Sequence, residues 1–149
     1  MHVVLYRPEI AGNTGSLMRL SANTGTTLHL VHPLGFELDE PRLRRAGLDY
    51  REWADVVEHH DLDEALAVGA RVLALTRRGS VRYDAVDYRS DDVLLFGPES
   101  TGLPDEVVTR ADLALRIPMQ PGSRSLNLAN AASVVVYEAL RQRGFEGLD

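Results

Sequence analysis

Two uninterrupted apolar runs, "RVLALT" at 71–76 and "DVLLFG" at 92–97, constrain this chain more than any other feature. A strand with one face in water alternates apolar and polar side chains. A continuous run therefore belongs to a strand covered on both faces, and helices are what cover it. The rest of the chain supplies that alternation. "HVVLY" (2–6) and "LHLV" (28–31) read as strands, with a weak strand near Val56 and Val57 and another at 113–117. Between them the pattern predicts a helix over 13–25, with Leu17 and Leu20 on one face and Gly25 past its end. A short basic helix follows at 40–46, and another at 104–110. "DLDEALAVG" (61–69) opens on Asp with Glu three residues later and stops at Gly69, a capping-box-like helix. The expected fold class is α/β, a mainly parallel sheet with helices on both faces. No repeat, low-complexity segment or long linker interrupts it, so one domain over 1–149 is expected.

Composition narrows the function classes. The chain has no cysteine, which excludes disulfides, thiolate zinc sites and cysteine nucleophiles. Nothing approaches the ~20 apolar residues of a membrane helix. "MHVVLYRPEI" lacks the features of a signal peptide, so a cytoplasmic location is expected. The formal net charge of −6 speaks against a polyanionic partner, but its distribution is uneven. Six carboxylates and no arginine fall between Glu52 and Glu64, flanked by Arg42, Arg44, Arg45 and Arg51 before and by Arg77, Arg78 and Arg82 after. That clustering hints at an anionic partner. The exclusive use of arginine as the basic residue is as well explained by codon bias.

The segment "SRSLNLANAASVVVYEAL" (123–140) poses the sharpest question, because an apolar helix is preceded by serines, an arginine and asparagines. Those groups could cap the helix or face a ligand. In open parallel sheets ligands bind beyond the carboxyl ends of the strands. Here those ends run into "EIAGNTGSLMR", "TRRGS", "FGPESTGLP" and "IPMQPGSRSLN", loops rich in Gly, Pro, Ser and Asn. Taken singly, Asn13 and Thr14 could be helix caps, Arg19 a solvated arginine, Glu99 an exposed carboxylate, and Gly97, Gly102 and Gly122 turn residues. No G-x-G, Walker loop or H-E-x-x-H is present, and His59-His60 reads as a solvated face, so no metal site is expected.

In order along the chain, "NTGSLMR", "LLFGPESTGLP" and "IPMQPGSRSLNLANAASVVVYEA" resemble the three motifs of SPOUT-class RNA ribose methyltransferases. The likeness is greatest to the small bacterial members that 2'-O-methylate the wobble nucleotide of certain tRNAs, and it extends to "VLYRPEIAGNTG" and "LRRAGLDY". The resemblance implies a C-terminal deep trefoil knot over about 73–149, which topology rules alone would have discarded. It implies knot loops near 73–79, 95–104 and 117–127, a homodimer, and S-adenosylmethionine as methyl donor, leaving S-adenosylhomocysteine, with no metal. Leu75, Gly97, Gly102, Ile117 and Ser125 would contact the cofactor. Arg19, Asn13, Glu99, Ser125 and Asn127 would surround the reacting ribose of the tRNA. Arg44, Arg45 and Arg124 are candidates for RNA phosphates. The family proposal makes Arg19 the base, although a guanidinium stays protonated; a clamp role, with Glu99 or a water taking the proton, is the alternative. The same chemistry on another tRNA or rRNA ribose, a non-catalytic RNA- or nucleotide-binding module and a flavodoxin-like regulator are the competing readings.

Overall fold

The computed structural model describes residues 1–39, 41, 45 and 54–149. Among the described residues seven strands form one sheet: β1 (His2–Tyr6), β2 (Thr27–Val31), β3 (Val56–His59), β4 (Arg71–Leu75), β5 (Val81–Arg82), β6 (Asp92–Phe96) and β7 (Leu113–Arg116). Their order across the sheet is β3-β2-β1-β6-β4-β7-β5, and every neighbouring pair is parallel. The two-residue edge strand β5 has too few residues to show a pattern in sequence, and it was not anticipated.

The continuous apolar runs are explained by two cores, one on each face. Val3, Leu5, Leu28, Leu30, Leu73, Leu94 and Leu115 point to the first, which is closed by α1 (Ala11–Thr24) and α4 (Leu128–Gln142). Val4, Val31, Val72, Ala74, Val93 and Leu95 point the other way, toward α2 (Leu62–Leu66) and α3 (Asp105–Val108). Adjacent residues of one strand thus enter opposite cores, as the period-two alternation of Cβ direction requires. All five residues of the central strand β6 are buried. Its first, Asp92, is fully buried and accepts from Arg71 Nε at 2.9 Å and Nη2 at 2.7 Å. Asp92 also accepts from Arg89 N–H at 2.8 Å. That geometry satisfies the buried carboxylate and sets the start of β6 beside β4.

Helix boundaries moved where capping competed with pattern. The first helix begins at Ala11, with Ile10 as an N-cap that offers no side-chain bond. Asn13 and Thr14 therefore lie inside its first turn and do not cap it. Gly25 ends it at φ 67°, donating to Ser21 O at 2.9 Å, a conformation glycine adopts without strain. Asp61 caps α2 through Asp63 N–H at 2.8 Å, but the helix stops at Leu66, short of Gly69. The last helix starts at Leu128, so residues 123–127 precede it as a loop. Of the expected basic helix at 40–46, Pro41 and Arg45 are helical and the other positions lie outside the described residues. Among the described residues no helix is long and apolar enough to cross a membrane.

Candidate active site

Three neighbouring strands, β6, β4 and β7, end on the same edge of the sheet and deliver loops 97–104, 76–80 and 117–127 to one place. Between these loops lies a cleft of about 700 Å³, within the range of small-ligand sites. Leu75, Gly97, Gly102, Ile117 and Ser125, the positions expected to meet a cofactor, all line it. Asn13, Glu99 and Asn127 line it too. The loops are locked to one another. Gly79 lies so close to β7 that a Cβ would fall 2.3 Å from Leu115 C, and Thr76 N–H bonds Leu115 O at 2.9 Å. Arg116 reaches the carbonyls of Gly79 and Ser80, each at 2.8 Å. Arg77 ties the first loop to the last through Ser123 O at 3.0 Å.

A chain of side-chain hydrogen bonds joins the three segments singled out in sequence. Glu99 Oε1 accepts from Asn13 Nδ2 at 3.1 Å and from Ile10 N–H at 3.2 Å, while Oε2 accepts from Glu9 N–H at 2.7 Å. Asn13 Oδ1 in turn accepts from Asn127 Nδ2 at 2.8 Å. Asn127 Oδ1 then accepts from Ala129 and Asn130 N–H at 2.9 Å and 3.2 Å, capping α4. The start of α1 lacks a cap of its own, and Glu99 supplies one by accepting from the N–H of the N-cap Ile10, 89 residues away. A carboxylate at a helix N-terminus is favoured by the orphan N–H groups and the helix dipole. Capping and ligand-facing are thus not alternatives here: the capping asparagine also forms the cleft wall, and Ser125 lines the cleft two residues before it.

Other expected positions lie elsewhere. Arg19 is exposed on α1 and is not part of the cleft wall. Arg124 and Arg45 are exposed and also outside the wall, and Arg44 lies outside the described residues. Ile10, Met119 and Leu126 line the cleft without having been singled out in sequence, and Arg77 and Arg78, noted there as part of a basic flank, line it too. The "TRRGS" loop was marked by its place after a strand, and that position was the usable signal for the two arginines. Arg78 pairs with Asp105 at the start of α3. Among the described residues, no group of three or more His, Asp and Glu side chains is arranged to hold a metal ion.

Apolar Leu75, Phe96, Ile117 and Met119 beside small-residue loops suit a ligand with a flat heterocycle and a polar tail. Comparison with known proteins points the same way. The SpoU rRNA Methylase family matches residues 1–137. A tRNA (cytidine(34)-2'-O)-methyltransferase of Yersinia pestis is 52% identical, over 99% of this chain and 96% of that protein. A solved structure described as giving insight into 2'-OH methylation of C/U34 on tRNA superposes with a TM-score of 0.91 at 49% identity, covering 97% of each chain. A SpoU methyltransferase of Streptomyces viridochromogenes, solved with S-adenosylmethionine, has a TM-score of 0.89 at 26% identity, over 97% of this chain and 61% of that one.

Proposed function

This chain belongs to the SpoU rRNA Methylase family, and on that premise we propose that it transfers a methyl group from S-adenosylmethionine to the ribose 2'-hydroxyl of the wobble nucleotide, cytidine or modified uridine, in tRNA anticodons. The observation that carries the reading is the cleft itself, where three sequence-distant loops meet and Asn13, Glu99 and Asn127 are bonded in series. Although the family description speaks of rRNA, a relative 52% identical over nearly the whole chain is named for position 34 of tRNA.

The cofactor supplies an electrophilic methyl group on a sulfonium, so the ribose oxygen forms the new C–O bond as the C–S bond breaks. The protein's share is placement, and aligning two reactants can supply much of the rate. Glu99 already accepts three N–H bonds through its two oxygens, which makes it a positioning group rather than a base. Arg19 serves as a clamp on the RNA, a guanidinium being no base, and the proton leaves to water. The enzyme acts as a homodimer in the cytoplasm, with a trefoil knot over about 73–149 in one domain. In the dimer a second copy brings Arg19 to the cleft that its own chain does not reach. The exposed Val134 and Tyr137 of α4, at 38% and 46%, support that association. Arg124 and Arg45 contribute phosphate contacts, so binding weakens as salt rises.

The test is labelled methyl transfer to tRNA from cells lacking this protein, followed by nucleoside mass spectrometry. A 2'-O-methylated wobble nucleoside is expected. Arg19→Ala should lose turnover and keep cofactor binding. Methylation of a different tRNA or rRNA ribose would retain the chemistry and overturn the target. No incorporation into any RNA would favour a binding module.

A further inference from the structure

We propose that Glu9 is a positioning residue for the cleft: its carboxylate holds Ser100 and thereby fixes loop 97–104 against the start of α1. Glu9 is exposed and forms no part of the cleft wall. Its two oxygens accept from Ser100 N–H at 2.9 Å and from Ser100 Oγ at 2.8 Å. In the other direction Glu99 accepts from the backbone N–H groups of Glu9 and Ile10. Residues 9–10 and 99–100 thus exchange two pairs of hydrogen bonds, each with an ionisable carboxylate as acceptor. Bonds of that kind are stronger than neutral ones.

The placement explains why such a clamp is needed. Strands β1 and β6 are paired only as far as Leu5 and Phe96, and beyond them no ladder joins the two segments. Loop 97–104 has no regular structure and carries several turn-forming residues, including Gly102 at φ 71°. The clamp extends the connection past the strand ends, to the residues that face the ligand. Glu9 is itself held from behind. Gly35 donates to Pro8 O at 2.9 Å, and a Cβ on Gly35 would sit 2.7 Å from Glu9 Cα. The backbone of Glu9 is therefore seated against the 33–36 segment while its side chain reaches across to Ser100. Fixing this loop before the ligand arrives removes an ordering cost from binding.

The identity of the ligand rests on the methyltransferase reading above, whereas the clamp does not. Two measurements separate them. In hydrogen exchange of the ligand-free protein, Glu9→Ala should speed exchange across 97–104; unchanged exchange there would overturn the clamp whatever the ligand is. In calorimetry with S-adenosylhomocysteine, Glu9→Ala and Ser100→Ala should each weaken binding about tenfold, the loss expected for a charge-assisted bond. The double variant should bind no more weakly than the poorer single, and Glu9→Gln, which keeps an acceptor, should recover part of the loss. In turnover the cofactor KM should rise while kcat stays near the wild-type value. Wild-type affinity in both single variants, or fully additive losses in the double, would refute the positioning role. Accelerated exchange in a protein that binds no S-adenosylhomocysteine even as wild type would uphold the clamp and count against the methyltransferase reading.

Discussion

At the scale of single residues, the loops of the cleft tolerate no added bulk where backbone meets backbone. A Cβ on Gly97 would lie 2.3 Å from Leu103 N and 2.5 Å from Gly102 C, neither of which can turn aside. Gly97→Ala must therefore push loop 97–104 open, and overpacking of this kind costs roughly 1–3 kcal/mol. Calorimetry should show cofactor binding weakened by about tenfold or more, since ~1.4 kcal/mol corresponds to a factor of ten. Gly102→Ala is the informative contrast. No atom lies within 4 Å of the added methyl, so its cost is confined to the left-handed backbone at φ 71°, on the order of 1 kcal/mol. The glycines were visible as turn formers in sequence. Which one is pressed against another loop was not, because the pressing partner comes from the fold.

At the scale of elements, strands β1, β2 and β3 carry a row of imidazoles. His2 Nδ1 meets His29 Nε2 at 3.0 Å, and His29 Nδ1 meets His59 Nε2 at 2.9 Å. His29 is only 3% exposed. Burial holds its pKa down to about 4, with His2, His59 and the N-terminal amine adding to the effect and Asp55 opposing it. His2 is lowered as well, chiefly by burial. In the unfolded chain an imidazole titrates near 6.5. Below that pH the unfolded state binds a proton that the folded state refuses, so stability is lost as pH falls from about 6.5 toward 4 and levels off below. The loss attributable to His29 is on the order of 3 kcal/mol. Urea midpoints should decline across this window, and His29→Gln should flatten the decline. The cluster was hidden in sequence because its members lie 27 and 30 residues apart and meet only through strand register. His59 is buried, which corrects the reading of that residue as solvated, while His60 is exposed as expected.

At the scale of the whole molecule, the homodimer proposed here predicts that α4 carries the association. Val134→Asp combined with Tyr137→Asp should convert a dimer to a monomer in sedimentation equilibrium, with methyl transfer lost and the melting temperature of the monomer little changed. A monomer that retains turnover would rule out the second copy as the source of Arg19. The two-faced core and the parallel sheet were determined by the sequence itself, because uninterrupted runs such as 71–76 and 92–97 cannot sit in a sheet with a wet face. Leu75, Gly97 and Ile117 were expected at the cleft only through the family resemblance, and each stands at or just beyond the end of a strand. What only the tertiary structure decided was how those ends combine. The order of strands brings β6, β4 and β7 side by side although they are not consecutive in the chain. Glu99 can then cap a helix whose N-cap lies 89 residues before it, and Asn127 can bond Asn13 at a separation of 114 residues. Local patterning fixes which segments become strands and helices, for it depends only on near neighbours. Long-range partners depend on which strand lies beside which, and no periodicity records that.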